Sequence, residues 1–361
     1  MLRNLLVLLL VAGAAHAAEP KKYEVHKLAE GVHAFVWGDA LADPIESNVL
    51  IVINEEDVLV VDSCLFPSTA RLVIGEIRKL TPKPVRYVVN THWHDDHVLG
   101  NLAYREAFPA VEFIAHANTR TDVAEQVYAA QPKLIERYRD DIVRIRRALE
   151  TGKTSRGETV TEERRKLYES YIPLLQRFLD EIGPVNARPM LPDVTFDDHL
   201  TIHRGARTIE LRYLGRGNTR GDVVVWLPKE KILATGDLVV NPIPFGIGSY
   251  YREWIATLGT LRDIPAEAIF LSHGPVQHDR VYLDTVRALV QSLVSEVEAE
   301  VKRGATLEEV QKKVTLAEWK TKLAGDDQDK QRAFDAFFVT PAVERTYRQE
   351  KGEGEEAERL K

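Results

Sequence analysis

A histidine-rich segment placed directly after a strand is the feature that most constrains this chain. Residues 85–90 are mostly β-branched and apolar, which predicts a strand, and residues 91–97 that follow contain three histidines and two aspartates. Residues two apart in extended backbone point the same way, so His92 and His94 can converge on one ion. Imidazole nitrogens and carboxylate oxygens are ligands of zinc and neighbouring divalent ions. The pattern therefore predicts a metal site at the end of this strand, rather than a polar loop that happens to contain histidine.

The surrounding sequence predicts a mixed α and β fold with helical additions. A strand at 58–61, a helical pattern at 68–80 and the strand at 85–90 form a strand–helix–strand unit with parallel strands. Other strands are predicted at residues 31–37, 48–53, 111–115, 200–202, 208–214, 223–227, 232–235 and 268–271. About residues 118–185, apolar side chains at helical spacing predict a helical insertion, either a solvated cap or a lid over the substrate cleft. Residues 281–349 predict a C-terminal helical extension, followed by a charged tail at 350–361.

The N-terminus has the composition of a cleavable signal peptide. Arg3 supplies a positive charge, residues 5–11 form a short apolar stretch, and Ala15 and Ala17 are the small residues that a signal peptidase reads. We predict removal of residues 1–17 and a periplasmic or secreted mature protein. An uncleaved anchor is the alternative, which the short apolar stretch disfavours.

Charge and cysteine content argue against several other classes of protein. Lysine and arginine total 48 while aspartate and glutamate total 55, and the net charge of −7 disfavours nucleic acid as a partner. The one cysteine, Cys64, excludes an intramolecular disulfide, and its apolar setting predicts burial rather than a role as ligand or nucleophile. No later stretch is apolar enough for stable membrane insertion.

The histidine-rich segment resembles the signature of the metallo-β-lactamase superfamily, which has the form His-x-His-x-Asp-His. The matching residues are His92, His94, Asp96 and His97. Asp62, at the end of a predicted strand, resembles the early aspartate that braces the metal loop in this superfamily. The resemblance implies an α+β fold over residues 23–280, a four-layer αβ/βα sandwich of two mixed sheets, to which the helical insertion and the C-terminal helices are added.

Three later segments match the superfamily in the expected order. Residues 215–222 lie where its third metal-binding loop occurs, Asp237 resembles the bridging carboxylate of glyoxalase-II-like members, and His273 resembles the last metal-binding histidine. The resemblance implies two ions, one held by the first two histidines of the signature and one by its last two residues with His273. Asp237 is expected between them. Where the superfamily usually has histidine, this chain has Asn218. Two roles for Asn218 stay open with equal weight: a weak metal ligand, or a residue that only forms hydrogen bonds.

The resemblance implies a hydrolase of a small-molecule substrate, which uses a metal-bound hydroxide on an ester, lactone, thioester or β-lactam-type bond. Zn²⁺ is the expected cofactor, as one or two ions, with iron or manganese as alternatives, and Asp96 is expected to orient the nucleophile or transfer a proton. Two other functions remain open: an iron-dependent oxidoreductase or sulfur-processing enzyme, and a non-catalytic binding protein with a degenerate first metal site. The loop after Asp237 contains Phe245, Tyr250 and Tyr251, which are candidates for the rim of the substrate cleft.

Overall fold

The fold is built from two β-sheets, each in its own unit of the chain. The structure is a computed structural model that describes residues 22–38, 41, 45–186 and 188–353. The two units divide between Phe196 and Asp197, and each combines one sheet with several helices, which confirms the predicted α+β class. The predicted signal peptide at 1–17 and residues 354–361 of the predicted tail lie outside the described residues.

The first unit, which ends at Phe196, contains a seven-stranded sheet whose strands follow chain order. Its strands are β1 Tyr23–Ala29, β2 Val32–Trp37, β3 Val49–Ile53, β4 Val58–Val61, β5 Val85–Val89, β6 Glu112–His116 and β7 Val194–Phe196. Its helices are α1 Pro67–Leu80, α2 Asp95–Val98, α3 Asn101–Ala107, α4 Ala117–Asp122, α5 Gln131–Thr151 and α6 Glu162–Asn186, with a π-helical segment at Val123–Tyr128. Strands β1 to β4 pair antiparallel, and β4 to β7 pair parallel.

The parallel half of this sheet brings polar residues to one edge. All four residues of β4 are buried, as expected for a central parallel strand with both faces covered. Strand β4 leads through α1 into β5, which is the predicted strand–helix–strand unit. The carboxyl ends of parallel neighbours share an edge, so Asp62 after β4 and Thr91 after β5 can meet there.

The helical insertion lies between β6 and β7 and is anchored to the rest of the first unit. Val127 of the insertion belongs to a hydrophobic cluster, and Trp93 packs against the same cluster. This packing joins the segment 91–97 (hereafter the histidine loop) to the insertion. Phe66, the N-cap residue of α1, has no side-chain acceptor for the free N–H groups of that helix. Glu181 of α6 supplies one, because its carboxylate accepts the Ser68 N–H at 2.9 Å and the Ser68 hydroxyl at 2.8 Å.

The second unit, from Asp197 onward, contains a five-stranded sheet in the order β12-β11-β10-β9-β8. Its strands are β8 His199–Arg204, β9 Arg207–Tyr213, β10 Val223–Leu227, β11 Ile232–Ala234 and β12 Ala268–Phe270. Its helices are α7 Tyr251–Asp263, α8 Val281–Lys302, α9 Leu307–Lys313, α10 Ala317–Ala324, α11 Gln328–Ala333 and α12 Thr340–Glu350, with a 3₁₀ turn at Gly236–Leu238 and a π-helical segment at Phe334–Val339. Neighbouring strands from β8 to β11 are antiparallel, whereas β11 and β12 are parallel.

The C-terminal extension is helical, as its sequence pattern predicts. Helix α9 ends at Lys313, because Val314 leaves the helical conformation (φ −85°, ψ 86°). Leu316, directly before α10, has a left-handed backbone (φ 49°) and a buried side chain. Among the described residues, no helix combines the length and the apolar character that crossing a membrane would require.

Candidate functional site

A buried carboxylate at the end of β4 organises the histidine loop. Asp62 is fully buried and has a left-handed backbone (φ 64°), which is uncommon for a residue other than glycine. Its backbone N–H donates to the Val89 carbonyl of β5 at 2.8 Å, which holds the carboxylate beside the loop. Oδ1 of Asp62 accepts the Thr91 N–H at 2.8 Å, and Oδ2 lies 2.8 Å from Nδ1 of His97.

The same network fixes the protonation pattern of two histidine rings. Asp62 as a carboxylate only accepts hydrogen bonds, so Nδ1 of His97 carries the proton. The Thr91 hydroxyl lies 3.0 Å from both oxygens of Asp62 and 3.0 Å from Nδ1 of His92. Because this hydroxyl donates its one proton to Asp62, it accepts the Nδ1–H of His92. Both histidines are thereby held in the tautomer whose Nε2 carries the lone pair that a metal ion binds.

His94 and Asp96 lie beside these two rings on the same loop. Nδ1 of His94 is 2.9 Å from Nε2 of His92, and Oδ2 of Asp96 is 3.2 Å from Nε2 of His97. Two nitrogens bound to one tetrahedral zinc ion are roughly 3.3 Å apart, given Zn–N bonds of about 2.0–2.1 Å. The ligand atoms of His97 also lie within 4.8 Å of those of His92 and Asp96. The structure thus brings together all four residues of the predicted signature.

The two adjacent carboxyl groups of the loop differ in their surroundings. Burial raises the pKa of Asp95 to about 7, and the charge of the neighbouring Asp96 adds to the increase. Asp95 is therefore partly protonated near neutral pH, whereas Asp96 is the carboxylate that lies against His97.

Hydrogen bonds to the backbone fix the end of the histidine loop. The His97 carbonyl accepts the Ser63 N–H at 3.1 Å, the Ser63 hydroxyl at 2.9 Å and the Asn90 side-chain amide at 2.7 Å. Gly100 follows, where a Cβ atom would lie 1.8 Å from the Ser63 carbonyl oxygen, so no larger residue fits without a backbone shift. These contacts fix the loop backbone, as pre-organised sites require.

In the second unit, the loop at 215–222 holds Asn218 in one orientation. Asn218 is 1% exposed, and its Nδ2 donates to the Phe245 carbonyl at 2.6 Å and lies 3.4 Å from the Ser249 hydroxyl. Its Oδ1 is also buried and has no hydrogen-bond partner among the described residues. A buried acceptor left in that state costs about 1–3 kcal/mol, which marks Oδ1 as a position for a ligand.

Contacts within the second unit place this loop beside Asp237. Asp222 accepts the Thr219 N–H at 2.9 Å and the Thr219 hydroxyl at 2.8 Å. Burial raises the pKa of Asp222 to about 7 against the lowering effect of those two bonds, and the charge of Asp237 adds to the increase. A Cβ atom on Gly217 would lie 2.3 Å from Cδ2 of Leu238, so the loop backbone packs directly against the turn that carries Asp237.

Asp237 and His273 lie at neighbouring strand ends of the second sheet. Asp237 is in the 3₁₀ turn after β11 and His273 is in the loop after β12, and these strands are parallel, so their carboxyl ends share an edge. Oδ1 of Asp237 is 3.5 Å from Nε2 of His273, and both side chains are at most 5% exposed. The Asn241 N–H donates to the His273 carbonyl at 3.2 Å, which fixes the backbone there.

The three candidate rim residues occupy different environments. Tyr251 is fully buried and packs against Trp254 with ring centroids 6.2 Å apart, so it is a core residue of the second unit, contrary to the expectation of a rim position. Tyr250 is 8% exposed, with the Arg345 guanidinium 4.9 Å from its ring centre. Phe245 is half-buried, with its ring centre 6.2 Å from that of Phe337, and its carbonyl accepts the Asn218 amide hydrogen bond.

The sequence matches a known protein family over more than half of its length. Residues 42–273 match the family model described as the metallo-beta-lactamase superfamily. The matched segment is more than half of the chain and contains every predicted ligand from His92 to His273. The chain belongs to the metallo-beta-lactamase superfamily.

Two kinds of superfamily member are similar to this one. A linear primary-alkylsulfatase from Pseudomonas sp. (strain ATCC 19151) is 22% identical over 274 residues, which are 72% of this chain and 48% of the relative, so the chain spans about half of that relative. A metallo-beta-lactamase from Pontibacter korlensis has a TM-score of 0.52 and 22% identity, over 75% of this chain and 99% of that one. A stereoselective inverting sec-alkylsulfatase from Pseudomonas sp. has a TM-score of 0.60 and 15% identity, over 93% of this chain and 51% of that one. These similarities establish the metallo-β-lactamase fold.

The donor atoms of this superfamily member suit a divalent transition metal. The first unit offers imidazole nitrogens with fixed tautomers beside a carboxylate, and the second offers Asp237, His273 and the buried amide oxygen of Asn218. Nitrogen and oxygen donors of this kind, oriented by hydrogen bonds to their far side, are typical of metal ligands.

Thr91 and Glu46 are among the supporting residues that lie outside the predicted site. For Thr91, a hydroxyl next to a ligand histidine is a usable sequence signal. Glu46 is 3% exposed and accepts the Leu65 N–H and the Thr69 hydroxyl, both at 2.7 Å, and no local pattern signals it because its partners are about twenty residues away. Cys64 is buried, as predicted.

Proposed function

We propose that this protein is a metal-dependent hydrolase, the activity that membership of the superfamily implies. The observation that carries the proposal is the network in which Asp62 binds His97 directly and His92 through Thr91. A fully buried carboxylate is costly unless it has several partners. Here the hydrogen bonds of Asp62 also fix the tautomers of two imidazole rings so that each can bind a metal ion through Nε2. A role in metal binding therefore explains why a carboxylate is buried at this position.

The residues that we propose as metal ligands are, in the first unit, His92, His94, Asp96 and His97 and, in the second unit, Asp237 and His273. A divalent ion bound there would polarise the bond under attack and make water a nucleophile at neutral pH. Asp96 has 18% of its side chain exposed and lies against His97. Its carboxylate is thus within reach of both the ligand cluster and solvent, a position from which it can orient the attacking water and take up or release a proton.

Ester-type bonds, including sulfate esters, are the substrate class that we propose first. The likeness to the sec-alkylsulfatase extends over 93% of this chain, whereas the likeness to the lactamase extends over 75%. The chain segments beyond the lactamase-like part therefore have counterparts in a protein described as an alkylsulfatase. Accessory segments shape the cleft and hence the choice of substrate, so we place β-lactams second.

The test is metal analysis of the purified protein together with hydrolysis of a substrate panel. The panel contains sodium dodecyl sulfate, p-nitrophenyl acetate, a lactone, a thioester and nitrocefin, each assayed with added Zn²⁺, Mn²⁺ or Fe²⁺. We expect bound metal and turnover of at least one ester, both abolished by the paired substitution His92→Ala and His94→Ala. His203→Ala removes an exposed histidine on β8 and is the matched control. A protein that binds metal but hydrolyses nothing in the panel would favour the binding-protein alternative, and one that binds no metal would refute the proposal.

We also propose that the protein is exported, on the basis of the N-terminal sequence alone. Mass spectrometry of the protein from the periplasmic and culture fractions of a bacterial host would test this. A mass that lacks residues 1–17 is expected, and a full-length mass confined to the cytoplasm would contradict the proposal.

A further inference from the structure

We propose that Asn218 binds the metal through its amide oxygen and that this neutral oxygen lowers the preference of the site for Zn²⁺ over Mn²⁺. The inference rests on the proposed function, because it requires a metal centre. It goes beyond that function in assigning a ligand and a class of metal ion. The position is the one where the superfamily usually has histidine, so the amide oxygen would replace an imidazole nitrogen.

The orientation of the amide is fixed by its surroundings. Nδ2 of Asn218 is 2.6 Å from the Phe245 carbonyl oxygen, which accepts its hydrogen bond. If the amide were rotated by half a turn, Oδ1 would face that carbonyl and two acceptors would repel each other. The nearby Ser249 hydroxyl at 3.4 Å is compatible with the orientation observed. The oxygen, and not the nitrogen, is therefore the atom presented away from Phe245.

The oxygen presented in this way lacks a partner within the described part of the chain. Oδ1 is buried, in a side chain that is 1% exposed, and no described group donates to it. Leaving it so would cost free energy, whereas a cation bound to it would recover that cost. The hydrogen bond from Nδ2 to Phe245 also polarises the amide and increases the negative charge on Oδ1, which strengthens it as a donor to a cation.

The backbone next to Asn218 packs against the turn that holds another candidate ligand. Gly217 lies so close to Leu238 that a Cβ atom would be 2.3 Å from Cδ2, and Leu238 directly follows Asp237. Tyr250 reinforces the arrangement, because its N–H donates to the Gly217 carbonyl at 2.8 Å. The amide oxygen and the Asp237 carboxylate thus come from adjoining segments of one unit, which these protein contacts hold together.

The choice of metal follows from donor chemistry. Imidazole nitrogens suit zinc and iron, whereas carbonyl and carboxylate oxygens suit harder ions such as Mn²⁺. Replacement of one imidazole by an amide oxygen weakens Zn²⁺ binding more than Mn²⁺ binding. We therefore expect the ratio of Zn²⁺ to Mn²⁺ affinity to be at least about tenfold lower in this protein than in its Asn218→His variant.

The experiment measures metal stoichiometry and affinity, independently of hydrolysis. Full-length wild type, Asn218→His and Asn218→Ala are stripped with chelator and titrated with Zn²⁺ and with Mn²⁺ in competition with a chromophoric chelator. In Asn218→His one ring N–H can still donate to Phe245 while the other nitrogen faces the site, so this variant should fold even if the alanine variant does not. Asn54→Ala is the matched control, since Asn54 is a buried asparagine in the turn before β4, bonded to Asp57 at 3.0 Å.

Three results are distinguishable. Weaker metal binding in Asn218→Ala by about tenfold or more, with a higher Zn²⁺ to Mn²⁺ ratio in Asn218→His and no change in Asn54→Ala, supports the inference. Unchanged affinities and an unchanged ratio in both Asn218 variants would overturn it and leave Asn218 as a residue that only forms hydrogen bonds. No metal binding by the wild type would instead refute the proposed function.

Discussion

In the first unit, four candidate ligands come from one loop of seven residues, and in the second unit the candidates come from three separate loops. The first-unit ligands share a single support, because Asp62 reaches His97 directly and His92 through Thr91. In the second unit Asn218 is held by Phe245, and the His273 backbone is held by Asn241. In the first unit one residue thus orients several candidate ligands (concentrated support), whereas in the second unit a different residue holds each ligand (distributed support).

This difference determines how each region should respond to substitution. Where one buried group orients several ligands, its loss should impair all of them together. Where each ligand has its own support, the loss of one support should stay local, and effects of separate substitutions should be additive. The predictions below compare matched substitutions in the two regions, beginning with the largest expected effect.

Replacing Gly100 by alanine should cost more stability than replacing Gly217. The new Cβ at position 100 would meet the backbone oxygen of Ser63 at 1.8 Å, whereas at position 217 it would meet the movable end of Leu238 at 2.3 Å. We expect losses in the free energy of unfolding of about 3 kcal/mol and about 1 kcal/mol respectively. Chemical denaturation of the metal-free proteins measures both. Equal losses would show that the histidine loop is no more rigid than the loop at 215–222.

Replacing Asp62 by asparagine should weaken metal binding about 10–100-fold. The new amide can donate to Nδ1 of His97, which would move the ring proton to Nε2 and block the nitrogen that binds metal. The matched change in the second unit is Asp222→Asn, at a carboxyl whose pKa of about 7 makes it partly neutral already and which contacts Thr219 of its own loop. We expect about a threefold effect or less there. Chelator competition gives both affinities, and similar losses would remove the distinction between concentrated and distributed support.

The same contrast explains which features could be predicted from sequence. The signature residues occupy consecutive positions after a strand, so periodicity and spacing were enough to predict their cluster. The strand–helix–strand unit and the helical insertion were predicted for the same reason, because their signals are local. Family resemblance, and not spacing, was needed for Asp237 and His273, which become neighbours only through the parallel pairing of β11 and β12.

Other features depend on contacts that no local pattern encodes. Tyr251 resembles a cleft residue in sequence because it follows a loop rich in proline and glycine, yet its ring is buried against Trp254. The role of Glu46 depends on partners from a different segment. That Oδ1 of Asn218 has no partner among the described residues depends on the position of the Phe245 carbonyl, which fixes the orientation of the amide. In each case tertiary packing decides which atom of a side chain is available, and sequence alone specifies only the residue type.

Replacing Thr91 by valine tests whether the support of the first unit is transmitted through one hydroxyl. The substitution conserves shape but removes the acceptor for Nδ1–H of His92, while the contact between Asp62 and His97 remains. We expect about a tenfold loss of metal affinity, smaller than that of Asp62→Asn. NMR of the imidazole nitrogens in the metal-free protein should show mixed tautomers at His92 and one tautomer at His97. Thr285→Val is the control, because Thr285 is half-buried on α8 and its hydroxyl donates to the Val281 carbonyl of the same helix. A change at both rings would mean that Thr91 stabilises the whole loop.

The smallest effect should come from the anchor of the helical insertion, and it should depend on pH. Burial alone would raise the pKa of Glu181, but the Arg177 guanidinium and the hydroxyl and N–H of Ser68 lower it below its ordinary value of 4.5. A carboxyl with a lowered pKa in the folded state stabilises the protein above the unfolded-state pKa and loses that contribution as pH falls through the folded-state value. We expect Glu181→Gln to reduce the free energy of unfolding by about 1 kcal/mol at pH 7.

That difference between wild type and Glu181→Gln should persist down to about pH 5 and then shrink in more acidic solution. Urea denaturation at several pH values measures it. Glu308→Gln, which breaks an exposed pair with Lys312 in the C-terminal extension, should have almost no effect at any pH. A difference that grows as the pH falls would show that Glu181 is not stabilised as an anion. The insertion would then not be anchored through this carboxylate, and the concentrated support of the first unit would be limited to Asp62 and its neighbours.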